Sequence, residues 1–358
     1  MGERVTGVRL LITVPLHPVV PGTVAGLQSA AVAAGTPPWT VLGLVSGLAD
    51  RAGLVPPPGV TELVPVPDDA GPGWRSRVVT LAVQRRIDAV LPWTDRDAEL
   101  LAPAATELRE LGVALVCPPA PLVQLAGDKW DTAVRLAELG FPTPASRAVD
   151  RTTELGVAAR ELGHPQCPLV IKPRCSAGGW GVWSVREDAG LGVTAPLPAL
   201  PLYALMAAAA TCPEPLGLVV QQQLSGVDVS VDVLAQDGKV LASVARTRAR
   251  TLGGLCVEGA VGPVWPAVAE LVEQLVSALG WSQLLNVQLI WDPVTERGAV
   301  YELNARASGS IGTAGHVGVQ LLAGAVELAV TSRPPLLPAA ADRPSRFRRY
   351  WTDQVWPA

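Results

Sequence analysis

Tyr301-Glu302-Leu303-Asn304-Ala305-Arg306-Ala307-Ser308-Gly309-Ser310 is the stretch from which the rest of the chain is read. Residues two and four apart on a strand share a face, so Glu302, Asn304 and Arg306 are expected to point together. Glu302 and Asn304 offer hard oxygen ligands of the kind Mg2+ takes, and Arg306 offers a fork for a phosphoryl group or carboxylate. Upstream, Asn286-Val287-Gln288-Leu289-Ile290 reads as a neighbouring strand that sets Gln288 alongside as a further oxygen ligand. An edge strand with a solvated polar face shares the pattern. Convergence of Glu, Asn and Arg after a buried strand argues against it.

Two segments upstream extend the reading. In Pro168-Leu169-Val170-Ile171-Lys172-Pro173-Arg174-Cys175-Ser176-Ala177-Gly178-Gly179-Trp180-Gly181, an apolar strand ends on Lys172 and runs into a loop of Ser176, Gly178, Gly179 and Gly181. Glycines let backbone N–H groups approach phosphate oxygens, and such a hairpin can fold down as a lid. A plain hairpin turn with a surface lysine has the same pattern. The lysine precedes the glycines, so this is not the G-x-x-x-x-G-K-[ST] phosphate loop. Only three of the 28 basic residues are lysines (Lys129, Lys172 and Lys239). Arginine substitutes poorly for the compact charge wanted on phosphate, which singles out Lys129 and Lys172; Lys239, in a tight turn, reads as solvated. The second segment, Leu218 to Asp228, is a strand that can present backbone groups of Gln221, Gln222, Gln223 and Leu224 to an adenine edge, with Asp228 for ribose hydroxyls. A polar strand end reads the same way.

The whole chain frames these motifs. At 358 residues it exceeds one small core and divides into two or three α/β units. Residues 1–120 alternate strands (Val8 to Val14, Trp39 to Val45, Ala89 to Pro92, Val113 to Cys117) with helices (Gly22 to Ala34, Val78 to Arg86, Ala98 to Leu111), which implies a parallel sheet covered on both faces. Residues 121–217 hold the glycine-loop hairpin, and 218–335 a further strand-rich unit with a helix from Trp265 to Leu279 and a closing helix from Val317 to Val330. Residues 336–358 form a Pro/Arg-rich tail. No dense basic run accompanies the net charge of −4, so a nucleic-acid surface is not expected. Prolines interrupt both the N-terminal apolar stretch and the uncharged run from Gly190 to Pro213, so neither is read as a signal peptide or a membrane span. Five scattered cysteines lack metal or disulfide spacing and fit a reducing cytosol.

Taken in order, the segments resemble the ATP-grasp superfamily, nearest its single-copy, carbamoyl-phosphate-synthetase-like branch, from about Val8 to Val330. The resemblance implies an α/β ATP-grasp fold: a Rossmann-like N-terminal domain, a small lid subdomain and a C-terminal antiparallel sheet, with nucleotide between the last two. Asp128-Lys129-Trp130 is similar to the motif that opens the nucleotide-binding part, and Lys172 with its glycine loop to the second lysine and flexible loop. The resemblance also implies ATP, two Mg2+ ions with Mn2+ as a substitute, Gln288, Glu302 and Asn304 as metal ligands, and Arg306 and Arg248 as catalytic arginines. Two departures stand out. Glutamines occupy a hinge that commonly carries Glu, which loosens the expected base selectivity, and neutral Gln288 replaces a frequent carboxylate, which weakens expected Mg2+ binding without nucleotide.

The implied reaction phosphorylates a carboxylate and joins it to an amine, with small-molecule acid and amine substrates, amino acids or a peptide by default, in the cytoplasm. No membrane partner is expected, and a homodimer is the default assembly. Three other readings share the motifs: a bicarbonate-phosphorylating synthetase, a biotin-carboxylase-like enzyme, and a non-catalytic nucleotide-binding module. His17, His164 and His316 lie outside the motifs, so none is assigned as a general base. His316 reads as structural, with a place in the substrate pocket as the alternative.

Overall fold

The computed structural model describes residues 7–33, 35–46, 54–66, 72–176, 178–186 and 198–350. Part of the uncharged run from Gly190 to Pro213 and the last eight residues lie outside them. Strands β1 (Arg9–Thr13), β2 (Thr40–Ser46), β3 (Glu62–Val66), β4 (Ala89–Leu91) and β5 (Ala114–Leu115) form a parallel sheet in the order β3-β2-β1-β4-β5. On β1, Leu10 and Ile12 enter one core cluster and Leu11 the other, as the two-residue period of a doubly covered strand requires. Helices α1 (Val20–Ala33), α2 (Pro72–Gln84), α3 (Asp95–Leu101) and α4 (Ala105–Glu110) complete this unit. The single helix expected from Ala98 to Leu111 is interrupted by a 3-10 turn at Ala102–Ala104, where Pro103 lacks the N–H that a continuous helix needs.

Helices α5 (Ala120–Gly127) and α6 (Lys129–Glu138) lead into a second sheet. Its strands β6 (Ser146–Val149), β7 (Leu169–Pro173), β8 (Trp183–Val185), β9 (Ala199–Leu200) and β10 (Leu218–Gln222) run in the order β6-β10-β7-β8-β9. Helices α7 (Thr152–Glu161) and α8 (Leu202–Ala209) belong to the same unit and supply its core with Leu155, Ala158 and Leu205. Strand β10, expected to open the C-terminal unit, instead pairs antiparallel with both β6 and β7, setting Val219 opposite Lys172. Its alternation marks it as a strand but carries no information about which sheet receives it.

The third sheet contains β11 (Val227–Gln236), β12 (Lys239–Thr247), β13 (Arg250–Leu252), β14 (Leu255–Gly262), β15 (Gln283–Asp292) and β16 (Arg297–Asn304). Their order is β13-β14-β12-β11-β15-β16, and β17 (Ser345–Arg348), from the tail, adds to β14. Helix α9 (Pro266–Leu279) covers the face formed by Val229, Val231, Val233, Leu285, Val287, Leu289, Val300 and Leu303. The intervening residues, Asp228, Ser230, Asp232, Asn286, Gln288, Glu302 and Asn304, therefore occupy the other face, which is polar and floors a cleft. The closing helix differs from expectation: a 3-10 stretch, Ile311–Val317, ends at Gly318 with φ 87°, and α10 (Leu321–Thr331) starts afresh. Among the described residues no single helix is long and apolar enough to cross a membrane.

Candidate functional site

A cleft of about 810 Å3 opens between the second sheet, which carries the glycine loop and is called the lid sheet below, the polar face of the C-terminal sheet and the ends of β1 and β4. Strand register sets its floor. Arg246 pairs with Ser230, Ser230 with Gln288 and Gln288 with Glu302, so one polar row crosses four strands. A second row runs Asp232, Asn286, Asn304. Asn286 Nδ2 donates to Ser230 Oγ at 2.7 Å and to Asp232 Oδ1 at 2.8 Å, locking the rows together.

Between Gln288 and Leu289 the pairing to β16 skips a residue: Leu289 faces Val300 and Gln288 faces Glu302, leaving Tyr301 without a partner. Such a bulge turns two successive residues to one face, and both Tyr301 and Glu302 line the cleft. The Tyr301 hydroxyl is a hub that lies 3.0 Å from Asp228 Oδ1, 2.9 Å from Gln288 Oε1 and 2.9 Å from Arg248 Nη1. Arg248 also donates to Gln288 Oε1 and, at 3.0 Å, to the Gly254 carbonyl. Burial opposes the charge on Arg248, but Tyr301, Asp228 and Glu302 override it and raise its pKa. Burial raises the Asp228 carboxyl against the pull of Arg248 and Tyr301.

The two lysines occupy different positions. Lys172 is 3% exposed, donates to the Tyr301 carbonyl at 3.3 Å and lies 5.4 Å from that ring's centre. Burial, with Lys129 adding to it and Glu302 opposing, lowers its pKa to about 8. Lys129 is also buried, and its ammonium donates to the carbonyl and, at 3.4 Å, to the hydroxyl of Ser176, so it anchors the base of the glycine loop. Asp128 caps α6 by accepting from Trp130 N at 2.8 Å and holds Arg174 Nε at 2.9 Å. Gly178 and Gly179 line the cleft, whereas Gly181 serves packing: a Cβ there, at φ 71°, meets Pro173 at 2.8 Å. The loop rests on the turn between β13 and β14 so closely that a Cβ on Gly254 falls 2.2 Å from the Gly178 carbonyl carbon.

Gln221, Gln222, Gln223 and Leu224 line the far wall. All three side-chain amides are engaged nearby: Gln221 with Ser146 Oγ at 2.9 Å, Gln222 with the Leu162 carbonyl at 3.0 Å, and Gln223 with Ser184 Oγ at 2.6 Å. Among the sequence-selected residues the structure thus brings Lys172, Gly178, Gly179, Gln221, Gln222, Gln223, Leu224, Asp228, Arg248, Gln288, Glu302, Asn304 and Arg306 to one cleft. Lys129, Ser176 and Gly181 stand behind its wall.

The donor set fits Mg2+ carried mainly by phosphate oxygens. The Glu302 carboxylate has no hydrogen-bond or ion-pair partner among the described residues and faces the cleft, while Asn304 Oδ1 accepts from Arg306 at 3.2 Å. Gln288, expected as a third ligand, differs: Arg248 and Tyr301 already engage its carbonyl oxygen. No group of three or more His, Cys, Asp or Glu suited to a metal occurs among the described residues. Mg2+ characteristically binds through one or two carboxylates plus substrate phosphates, and Glu302 with Asn304 suits that mode.

The opposite end of the cleft lies beyond the lysine and Glu302-Asn304 motifs. His17, Trp93, Thr94 and Asp95 line it, facing Arg246 and Arg306 to Ser310. His316, by contrast, is exposed and absent from the lining. Arg306 Nη2 donates to Asp95 Oδ2 at 2.8 Å, and although burial opposes its charge, Asp95 and Glu302 keep its pKa raised. His17 follows β1 and Trp93 follows β4, so strand order brings the two together, and for His17 that order was the available signal.

Comparison with known proteins agrees with this architecture. Residues 214–349 match the family described as ATP-grasp in the biosynthetic pathway with Ter operon. The chain is similar in structure to an N5-carboxyaminoimidazole ribonucleotide synthetase in an ADP complex (TM-score 0.67, 14% identity, 96% of this chain and 82% of that one). It also resembles the biotin carboxylase domain of Hydrogenobacter thermophilus 2-oxoglutarate carboxylase, solved with MgADP, ADP and bicarbonate (0.65, 16%, 91% and 70%). A third similar structure is the L-amino acid ligase of Bacillus licheniformis (0.62, 17%, 92% and 75%). A search of curated proteins gave no match. With its parallel sheet, lid sheet and polar-faced antiparallel sheet around one cleft, the chain has the ATP-grasp fold.

Proposed function

We propose that the protein is an ATP- and Mg2+-dependent carboxylate–amine ligase that forms an amide or peptide bond through an acyl phosphate, releasing ADP and phosphate. The observation that carries this reading is the convergence of Lys172, Arg248 and Arg306 on the free Glu302 carboxylate within one cleft. Glu302 and Asn304 would hold Mg2+, which when bound neutralises charge on the phosphates. Lys172 reaches the cleft from the lid sheet and Arg248 from the end of β12, so both cations meet phosphate oxygens without rearranging the sheets. The hub at Tyr301 fixes the Arg248 guanidinium in advance, which is what electrostatic stabilisation of a developing charge requires. The glycine loop, resting on Gly254, lines the cleft and would keep water from a reactive acyl phosphate when it closes. Arg306 then faces the oxyanion that forms when the amine attacks.

The substrate class is an amino acid or peptide, a reading supported by the resemblance to an L-amino acid ligase. The test is phosphate release from ATP over amino acids offered singly and in pairs, with bicarbonate as a separate arm and mass detection of product. Turnover requiring both an acid and an amine is expected. Turnover with bicarbonate alone, or nucleotide binding without turnover, would replace the reading.

A further inference from the structure

Three observations meet at the end of the cleft farthest from the lid, and the nucleotide and metal residues explain none of them. His17 Nδ1 is buried without a hydrogen-bond partner among the described residues. Arg246 Nε is in the same condition, although its side chain is 1% exposed and its other nitrogens are bound by Asp232, Ser230 and Ser308. Buried polar atoms in native proteins are almost always paired, so two orphans at one end of one cleft are free to take a partner from a molecule bound there. The third observation is a cation out of balance. Asp232 is matched by Arg246 and Asp95 by Arg306. Arg349, carried in by β17, donates to the Gly309 carbonyl at 3.0 Å and Ser310 Oγ at 3.4 Å but has no carboxylate partner among the described residues.

Topology gives this end a second reason to bind. The order β3-β2-β1-β4-β5 reverses between β1 and β4, and a crevice at such a switch point, beyond the carboxyl ends of the strands, is where open α/β sheets take ligands. His17 leaves β1 and Trp93 to Asp95 leave β4 on either side of it. Burial favours the uncharged form of His17, and Arg306 and Arg349 add to it. A neutral imidazole beside an unmatched guanidinium suits one carboxylate.

We propose that the switch-point end of the cleft is a carboxylate subsite, formed by His17, Arg246, Arg306 and the loop that Arg349 positions, for a substrate that keeps a free carboxylate through the reaction. That group arrives on an amino acid acting as the amine or on a dicarboxylic acid acting as the acid. Only the fate of the ligand rests on the ligase reading; its binding does not. Calorimetric titration of the full chain, with Mg2+ and a non-hydrolysable ATP analogue, would take the twenty L-amino acids, succinate and glutarate, then the carboxamide of each binder. At least one carboxylate is expected to bind, with its carboxamide at least tenfold weaker. Arg349→Gln and His17→Asn should each weaken the carboxylate about tenfold and leave the carboxamide unaffected, a selectivity that general damage to the fold would not produce. Absence of any binder, equal affinity of acid and amide, or equal loss of both in the variants overturns the subsite. Carboxylate discrimination without nucleotide binding would sink the ligase reading and leave the subsite standing. Which binder loses affinity on amidation, amino acid or diacid, names the source.

Discussion

Arg306 Nη2 lies 2.8 Å from Asp95 Oδ2, an ion pair that ties the end of the parallel sheet to the C-terminal sheet across 211 positions of sequence. The partners' side chains are 15% and 26% exposed, so solvent screens the pair only in part. Asp95→Asn keeps an acceptor but removes the charge, and a stability loss of about 1 kcal/mol is expected by denaturant titration. The larger effect falls on Arg306, whose orientation relaxes. The KM for the acid substrate should rise several-fold while the Kd for Mg-nucleotide stays within about twofold.

Glu302 and Gln288 sit opposite each other, yet only Glu302 is free to hold a metal. Glu302→Gln should reduce turnover by about 100-fold or more, in line with loss of a charged group acting in the transition state, and raise the Mg2+ concentration needed for half-maximal rate. Gln288→Ala removes an Arg248 anchor instead, so its Mg2+ requirement should move much less. A Mg2+ titration of both variants decides this. The wild-type chain without nucleotide should bind Mg2+ no tighter than millimolar.

If Lys172 meets phosphate as proposed, nucleotide binding should depend on pH. Its pKa is lowered to about 8, mainly by burial, so the charge is present below that value and lost as pH rises through it. Bound phosphate favours the charged form. Nucleotide affinity should therefore fall above about pH 8, by at most about tenfold per unit, with proton uptake on binding visible in buffers of different ionisation enthalpy. The same group does not unfold the protein there. Between about 8 and its ordinary 10.5 the unfolded chain binds the extra proton, so the Lys172 contribution to stability rises with pH. A flat affinity profile from pH 7 to 9.5 would contradict this account.

Tyr301→Phe deletes the hub while keeping the ring near Lys172. Asp228, Gln288 and Arg248 lose a shared partner, and a stability loss of about 1–2 kcal/mol is expected from chemical denaturation. Turnover should drop at least tenfold as Arg248 loses its fixed position, with little change in KM for the acid.

Much of this was legible in the sequence because strands carry a two-residue period. Glu302, Asn304 and Asn286-Val287-Gln288 declared a polar face over an apolar one, and the structure puts them on the cleft floor. What escaped depends on pairing, which alternation does not encode. The move of β10 into the lid sheet, the partners of Gln288, and the bulge that turns Tyr301 inward all require register. His17 escaped for a related reason: nothing near it resembles a motif, and only the order of β1 and β4 gives it a role.

Gly254→Ala tests the lid. A Cβ there collides with the Gly178 backbone, and neither backbone can yield as a flexible side chain would. The loop should be held off its seat, lowering turnover at least tenfold and increasing protease cleavage near Trp180, with nucleotide affinity reduced less than turnover.

The unpaired position of Tyr301 has an evolutionary corollary. Deleting that single residue would restore a regular strand and leave Glu302 opposite Gln288, so the phenol that holds Arg248 is a detachable insertion in the strand that carries Glu302. A one-codon deletion would therefore remove the phenol while the carboxylate kept its place in the register.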